Sequence, residues 1–529
     1  MTRSFPDTSA SLPAGRFGLR DALLALGAAT ALRLLALAFY GLDLYPDEAQ
    51  YWSWSRDFAF GYFSKPPMVA WAIGVATAAC GQGEACIKAW VPLAYFVSSL
   101  FVYGAAKRFY SARVGFFAAL AFITLPGISF SSFIASTDPL LILFWAMALY
   151  AVTRIADGAT GGLGWWAVLG IAIGGGLLSK YAMAFLPLGL ALWLAFDPEA
   201  RARCAISGLR GWTGPLLALA LGALIYLPNL IWNIQSAFVT FAHTGSNANL
   251  RGDLFHPARL GSFLASQFGV FGPILFATLL VAATRIGRWC ADWRTRLLAS
   301  LVLPMLLAIS VIALLSRANA NWIAPVYVAG SIWTTAVLLD GGRRVLAVAS
   351  LALHLVVAAL IGILAVSRDG PGNHAGIALP RGTDLFAHHD GWRELGAEIS
   401  AIRARLPGVP LLADDRMVLA ELLYYVRPMP EDVFAWRPTA RIGHHYDLTR
   451  PLPDRPGGDY LLVVLHEDPS GITRHFSEAS PLARIDVRPG TRQALRVSVI
   501  HARGFFGYKA ARTPTPSQPS ETRKGQTDR

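Results

Sequence analysis

The sequence predicts an all-α polytopic membrane protein that ends in a small α/β domain outside the membrane. Its 529 residues are 54% hydrophobic and 15% charged, whereas about a quarter of the residues in soluble domains are charged. From Leu19 to about Ser367, apolar stretches of roughly 18 to 25 residues recur, each long enough to cross a hydrocarbon core of about 30 Å. From about Asp369 onward the composition is that of a soluble domain.

The apolar stretches are predicted to be transmembrane helices. A lipid-exposed backbone satisfies its hydrogen bonds only in a helix or a closed barrel, and these stretches lack the alternation of a barrel. Hydropathy predicts roughly eleven spans, and we expect about 11 to 13. They lie near 21–41, 88–107, 113–132, 138–156, 163–179, 181–196, 212–232, 260–284, 297–315, 321–339 and 344–366.

The net charge of +13 reflects topology. If the N-terminus is cytoplasmic, the segments between spans on that side are richer in Lys and Arg than the outside loops, as in Lys107, Arg108 and Arg113. This asymmetry follows the positive-inside rule and places loop 42–87 and the C-terminal domain outside. The basic charge therefore argues against a nucleic-acid partner.

Composition also predicts the domain boundaries. The chain is expected to consist of a disordered cytoplasmic tail at 1–17, a membrane domain at 18–367, an α/β domain at 368–512 and a disordered tail at 513–529. In the α/β domain, helices are predicted near 392–406 and 417–425, and strands near 409–413 and 460–465.

The outside loop contains the strongest candidate for a chemical site. Its residues 44–71 read LYPDEAQYWSWSRDFAFGYFSKPPMVAW, where Pro46 predicts a helix start and the aromatics suit the membrane interface. Asp47 or Glu48 could take a proton from an acceptor hydroxyl, while Lys65 could stabilise the charge on a departing phosphate. The alternative is that Asp47 caps the helix and Glu48 favours its positive end.

Two cysteines follow in the same loop. Cys80 and Cys86 would meet an oxidising compartment, so we hypothesise a disulfide between them. The alternative is two unpaired small residues, because the sequence does not supply their Cα separation.

Further polar residues lie where predicted spans meet the outside. Asp138 follows Ser136 and Thr137 and precedes a proline, which fits a helix N-terminus as well as a functional site. Lys180 and Tyr181 join two spans and either face the site or, for the lysine, snorkel to the headgroups.

Two later outside segments are also polar. The loop near 233–259 contains Arg251 and Arg259, and Arg317, Asn319 and Asn321 lie at a membrane boundary, where polar residues are functional candidates. The sequence contains no metal-ligand cluster, so we expect no metal site and no required cofactor, with a divalent metal as the alternative.

The segments PDEAQYW, GYFSKPPMVAW, STDPLL, LLSKY, QFGVFGP and NANWIAP resemble the GT-C superfamily of polyprenyl-phosphate-sugar-dependent glycosyltransferases. They are most similar to the lipid A aminoarabinose and galacturonic acid transferases, relatives of the protein O-mannosyltransferases. The resemblance covers most of 18–510. It implies a multi-pass enzyme of the bacterial inner membrane, with its active site and C-terminal domain periplasmic, that moves one sugar from undecaprenyl phosphate or a similar carrier to a lipid or glycan acceptor.

The resemblance also implies roles for individual residues. Asp47 corresponds to the catalytic aspartate, Asp138 to a second acidic site residue, and Tyr62 and Lys65 to residues near the donor phosphate. The remaining candidates are Glu48 beside the catalytic aspartate, the phosphate-binding candidates Arg251, Arg259 and Arg317, and the site candidates Lys180, Tyr181, Asn319 and Asn321.

One position departs from the aminoarabinose transferases, which tend to carry an acid before the Lys65 position, where this chain has Ser64. The absence of that acid would spare a uronic acid from repulsion, so we expect a galacturonic-type donor. Lipid A or the lipopolysaccharide core is the expected acceptor. The alternatives are a protein or other glycan acceptor, or a transporter or flippase of lipid-linked sugars.

Overall fold

The computed structural model describes residues 17–158, 162–206, 208–247, 249–250, 254–285, 287, 292–370, 373–374, 377–378, 384–465, 467–487 and 495–509. Apart from Phe17, the predicted tails lie outside these residues. The chain divides into two compact units, Met1–His389 and Asp390–Arg529. Composition predicted a boundary between residues 367 and 368.

The described part of the first unit is mainly helical. Its helices are α1 Leu19–Ala38, α2 Pro46–Ser55, α3 Met68–Cys80, α4 Glu84–Phe109, α5 Ala112–Thr124, α6 Pro126–Ser131, α7 Asp138–Ala156, α8 Leu163–Ser179, α9 Phe185–Phe196, α10 Pro198–Arg203, α11 Gly208–Gly211, α12 Thr213–Gln235, α13 Val239–Asn247, α14 Pro257–Val270, α15 Pro273–Thr284, α16 Trp293–Leu315, α17 Val326–Asp340 and α18 Arg344–Val366. Short 3-10 turns lie at Tyr181–Ala184, Ala320–Ile323 and Ala387–His389.

Six of the described helices, α1, α4, α7, α12, α16 and α18, are long and apolar enough to cross a membrane. Six further apolar helices of 10–17 residues accompany them. The chain is therefore a multi-span membrane protein, as its hydropathy predicted.

Two predicted spans are wrong as single helices. Stretch 113–132 breaks at Leu125 before Pro126, and stretch 260–284 breaks at Gly272 before Pro273. Proline lacks the N–H that continues a helix and clashes with the preceding turn. At the first break, Arg33 of α1 satisfies an otherwise open helix end, since its Nη2 donates to the Ile123 carbonyl at 2.6 Å.

The loop between α1 and α4 holds two of these helices, α2 and α3. A disulfide joins Cys80 at the end of α3 to Cys86 in the first turn of α4, with Cα atoms 5.9 Å apart. This confirms the disulfide hypothesis. The bond closes the loop at the point where the chain enters α4.

The first unit also contains three short antiparallel strands, β1 Arg368–Gly370, β2 Asn373–His374 and β3 Ile377–Ala378. Between the end of α1 and the last 3-10 turn, apolar side chains form a buried cluster. Its fully buried members are Leu37, Leu42, Phe133, Ile361, Ala365 and Phe386.

The second unit is a small α/β domain. Its described elements are α19 Trp392–Ala404, β4 Leu411–Ala413, α20 Arg416–Tyr425, β5 Val433–Ala435, α21 His445–Thr449, β6 Tyr460–Val464, α22 Ser470–Thr473, β7 Phe476–Val487 and β8 Leu495–Phe505. The sheet order is β5-β4-β6-β8-β7. Strand β4 pairs in parallel with β5 and β6, while β8 pairs antiparallel with β6 and β7.

The four elements predicted for this domain are confirmed as α19, β4, α20 and β6. Strands β5, β7 and β8 were missed. Strand β7 has a mostly exposed burial pattern and contains Pro481, which weakens a strand signal. The apolar residues at alternate positions of β8, such as Val497 and Val499, could have revealed it.

Candidate active site

The first turn of α2 holds the predicted acidic pair. Pro46 occupies its first position, where a missing N–H costs nothing. The Glu48 side chain is completely buried and bound at both oxygens: its Oε2 accepts from the Tyr45 backbone at 2.8 Å and from Lys88 Nζ at 2.8 Å, and its Oε1 accepts from the Ala135 backbone at 2.6 Å. Glu48 is thus held by protein donors alone.

Asp47 is the half-buried neighbour of this closed carboxylate. Successive residues of an α-helix are rotated by about 100°, so with Glu48 turned into the protein the Asp47 side chain takes a different direction. Asp47 therefore retains solvent contact, which a proton acceptor for an incoming hydroxyl requires.

The segment that follows α2 is shaped by Tyr62. Its single phenol O–H is shared between the carbonyl oxygens of Trp54 and Asp57, each 2.9 Å away, and its ring stacks on Trp54 at 4.6 Å. Burial raises the pKa of Tyr62 above its ordinary value, so the phenol stays neutral and keeps donating. Its backbone N–H donates to the Lys65 carbonyl at 3.1 Å, and the lysine is half-buried. Tyr62 thus fixes the turn that presents Lys65.

A second carboxylate joins three separate segments. Asp138 at the start of α7 accepts from Lys180 Nζ at 2.6 Å and from Asn321 Nδ2 at 2.7 Å, one on each oxygen. Lys180 follows α8, and Asn321 belongs to the turn Ala320–Ile323. The side chain of Lys180 is 21% exposed and that of Asp138 is 9% exposed, so this pair opens toward solvent.

Tyr181 connects Lys180 to the loop. Its hydroxyl donates to Asn229 Oδ1 at 3.1 Å, and Asn229 Nδ2 in turn donates to the Phe60 carbonyl at 2.6 Å. Nearby, Thr240 of α13 donates to the Tyr62 carbonyl at 2.7 Å. The loop that holds Lys65 and the junction that holds Lys180 are therefore linked through α12 and α13.

The two acidic centres are also linked. Glu48 accepts from the backbone of Ala135, which lies three residues before Asp138 in the chain. The turn that carries Asp47 is thereby connected to the segment that leads into Asp138.

Two other predicted cations, Arg259 of α14 and Arg317, meet at the end of α16. Arg259 Nη1 donates to the Ser316 carbonyl at 3.0 Å, and the next residue, Arg317, is exposed, as is Asn319. They precede Asn321, which binds Asp138. Arg251 lies outside the described residues.

Three buried polar residues around the site were missed: Lys88, Asn229 and His389. Lys88 and Asn229 occur in apolar stretches, where hydropathy averages hide them. A lysine inside an apolar helix, such as Lys88 in α4, is itself a signal that could have been used. Within the residues that the structure describes, no three His, Cys, Asp or Glu side chains are grouped closely enough to hold a metal ion.

Comparisons with known proteins agree with this architecture. Residues 64–232 match the family described as dolichyl-phosphate-mannose-protein mannosyltransferase. The chain is 32% identical over 456 residues to the lipid A galacturonosyltransferase RgtD of Rhizobium johnstonii, covering 84% of this chain and 91% of that protein. It is 26% identical over 353 residues to the lipopolysaccharide core galacturonosyltransferase RgtB of the same organism, covering 62% and 68%.

Solved structures share the fold. The crystal structure of ArnT from Cupriavidus metallidurans in the apo state has a TM-score of 0.62 at 17% identity, covering 90% of this chain and 97% of that chain. The same enzyme bound to undecaprenyl phosphate has a TM-score of 0.59, also at 17% identity and with the same coverage. The resemblance seen in the sequence motifs is thereby confirmed: this chain is a GT-C glycosyltransferase and belongs to the family of the lipid A galacturonosyltransferase RgtD.

Proposed function

We propose that this enzyme transfers a single galacturonic acid from a polyprenyl-phosphate donor to lipid A on the periplasmic face of the bacterial inner membrane. The observation that carries the proposal is the similarity to lipid A galacturonosyltransferase RgtD across 91% of that protein. Ser64 beside Lys65 supports a uronic acid donor, because no acid at that position repels the sugar carboxylate. The asymmetric distribution of Lys and Arg supports the periplasmic orientation.

The proposed reaction is a single displacement with inversion. The acceptor hydroxyl oxygen attacks the anomeric carbon, the bond from that carbon to the phosphate oxygen breaks, and polyprenyl phosphate leaves with the bonding electrons. Asp47 accepts the hydroxyl proton as general base. Its half-buried carboxylate, next to the anchored Glu48, supports this role.

Positive charge is needed where the departing phosphate becomes more negative. Lys65 is proposed to bind that phosphate, with Tyr62 holding the turn on which Lys65 lies. Arg259 of α14 and Arg317 after the end of α16 are proposed as further phosphate ligands, together with Arg251. The reaction needs no cofactor, and we expect EDTA to leave the transfer rate unchanged; loss of activity that added divalent metal restores would favour a metal at the phosphate.

The Asp138–Lys180 pair is proposed to bind the donor sugar. The exposed part of Lys180 can donate to a sugar oxygen or carboxylate while Asp138 keeps the ammonium in place. Tyr181, Asn319 and Asn321 complete this part of the site in the proposal. Glu48 is omitted as a catalytic group because both of its oxygens are bound by protein donors.

The experiment is mass spectrometry of lipid A, core oligosaccharide and polyprenyl-phosphate sugars from cells that lack the protein. Complementing copies would encode wild type, Asp47→Asn or Asp57→Asn, the last a matched change at an exposed position of the same loop. We expect galacturonic acid to disappear from lipid A, its lipid-linked form to persist, and wild type and Asp57→Asn to restore it.

Other outcomes would redirect the proposal. Loss of the sugar from the core oligosaccharide would assign the acceptor of RgtB, and unchanged glycolipids would point to a protein or other glycan. Depletion of the lipid-linked sugar from the outer leaflet, with full complementation by Asp47→Asn, would favour a transporter.

A further inference from the structure

Lys88 and His389 converge on the first turn of α2 from distant parts of the chain. Lys88 of α4 is completely buried, with Nζ 2.8 Å from Glu48 Oε2 and 3.1 Å from the Tyr40 hydroxyl. Its ammonium also lies 4.3 Å from the centroid of the Tyr40 ring. An ammonium in such a site is stabilised by the carboxylate and the aromatic face together.

His389 holds the residues immediately before α2. The Asp43 backbone N–H donates to the His389 carbonyl at 3.0 Å, and His389 Nδ1 lies 3.1 Å from the Asp43 carbonyl oxygen. A carbonyl oxygen only accepts, so Nδ1 carries the proton and donates. The same nitrogen is 3.7 Å from Glu48 Oε2. His389 therefore binds the backbone of Asp43 and faces the carboxylate of Glu48.

The segment that holds His389 is itself anchored. Phe386 is completely buried in the apolar cluster formed with Leu37, Leu42, Phe133, Ile361 and Ala365. The position of His389 is thus set by packing against α1 and α18. Its imidazole in turn fixes the Asp43 backbone through their hydrogen bond.

This anchoring matters because α2 has only ten residues. Isolated helices shorter than about 12 to 15 residues are marginal in water, so tertiary contacts must hold α2 in place. Ties from α4, from the Ala135 backbone and from His389 all reach residues 43–48, the segment that includes Asp47. The ties are concentrated on the turn that presents the proposed base.

We infer that Glu48, Lys88 and His389 are positioning residues of the transfer reaction, which together fix the direction of the Asp47 carboxylate. The inference rests on the proposed role of Asp47 as general base. The three residues do not touch the substrate. They hold the backbone of residues 43–48 so that the base lies within reach of the acceptor hydroxyl.

The test asks whether Glu48 and Lys88 position Asp47 or take part in the reaction themselves, and it removes their charges singly and together. Purified full-length enzyme is assayed with polyprenyl-phosphate galacturonic acid and lipid A as Glu48→Gln, Lys88→Met and the double variant Glu48→Gln/Lys88→Met. A displacement of about 1 Å can cost about 10²-fold in rate, so we expect Lys88→Met to lower kcat by about that factor while the donor KM changes less than about twofold.

The double variant gives the decisive comparison. It leaves no unpaired buried charge, so we expect it to recover at least about tenfold in kcat over Lys88→Met. The inference is overturned if the double variant melts like wild type and is nevertheless as inactive as Asp47→Asn, because Glu48 would then act chemically.

The positioning role of His389 is tested by substitutions at this residue and at a control position. His389→Asn keeps an N–H donor for the Asp43 carbonyl, His389→Leu removes it, and Leu385→Ala is the control at an exposed position of the same segment. We expect His389→Leu to lose about tenfold in kcat at unchanged donor KM, with His389→Asn within about threefold of wild type. Equal rates for all three variants would overturn the role of His389.

The wild-type rate distinguishes a failure of the positioning roles from a failure of the proposed function. If wild type transfers galacturonic acid and the variants are unaffected, the positioning roles alone are wrong. If wild type transfers no galacturonic acid to lipid A, the proposed function fails and the inference that rests on it falls as well.

Discussion

Two lysine–carboxylate pairs of this enzyme have similar geometry and very different surroundings. Lys88 and Glu48 are 2.8 Å apart with both side chains 0% exposed, whereas Lys180 and Asp138 are 2.6 Å apart with side chains 21% and 9% exposed. The closed pair ties α2 to α4, and the open pair ties α7 to the junction after α8. Exposure, and not the length of the ion pair, separates an anchor from a group that can meet a substrate.

The difference has an energetic basis. Charges removed from water must be compensated by protein partners. When one member of a fully buried pair is removed, water cannot solvate the charge that remains. A partly exposed lysine keeps some of its hydration and can exchange it for a ligand oxygen. The closed pair should therefore govern stability and geometry, while the open pair should govern binding.

Breaking the closed pair is expected to have the largest effect. Lys88→Met leaves the Glu48 carboxylate buried without its cation, which costs about 3–5 kcal/mol in comparable pairs. The measurement is the melting temperature of the purified protein in detergent. The comparison is Lys180→Met, which removes the cation from the Asp138 carboxylate nearer to solvent. Equal losses of melting temperature would contradict the distinction between the two pairs.

Asp47→Asn sharpens the comparison at the residue next to the closed pair. Removing a general base should lower kcat by about 10²-fold or more, while the melting temperature stays close to wild type because the Glu48 contacts remain. The assay is steady-state transfer of galacturonic acid to lipid A, with Asp57→Asn as control. Near-normal turnover of Asp47→Asn would mean that another residue is the base.

Lys180→Met tests the open pair. A hydrogen bond to a charged group contributes about 1.5–3 kcal/mol, so loss of the ammonium should lower kcat/KM for the donor by about tenfold or more. Lys107→Met, at an exposed position near the end of α4, is the control. A Lys180→Met enzyme with wild-type kcat/KM would assign this pair to structure alone.

The sequence motifs were sufficient to select the candidates that remain partly exposed in the structure. Asp47, Lys65, Asp138 and Lys180 stand out because polar residues between apolar helices are few, and the helices themselves follow from hydropathy. The breaks before Pro126 and Pro273 had a local signal in the prolines, which an averaged hydropathy window hides.

The buried contacts of Glu48, Lys88 and His389 could not be predicted in the same way. Lys88 coincides with the first residue of a predicted span, and His389 lies 346 residues away from its partner Asp43. Such pairings depend on how the helices pack, which no local period encodes. The burial of Glu48 is a tertiary result as well, since its neighbour Asp47 has the same charge and remains half-buried.

Ser64→Glu asks whether an added acid beside Lys65 acts through charge. Two unit charges about 4 Å apart in water interact by about 1 kcal/mol, so a new carboxylate should raise KM for a galacturonic acid donor about fivefold. Ser64→Gln, of the same size without the charge, should remain near wild type. Ser64 keeps part of its surface in solvent, so the repulsion should weaken modestly as ionic strength rises. A similar KM increase in Ser64→Gln, insensitive to salt, would mean that side-chain volume and not charge selects the donor at this position.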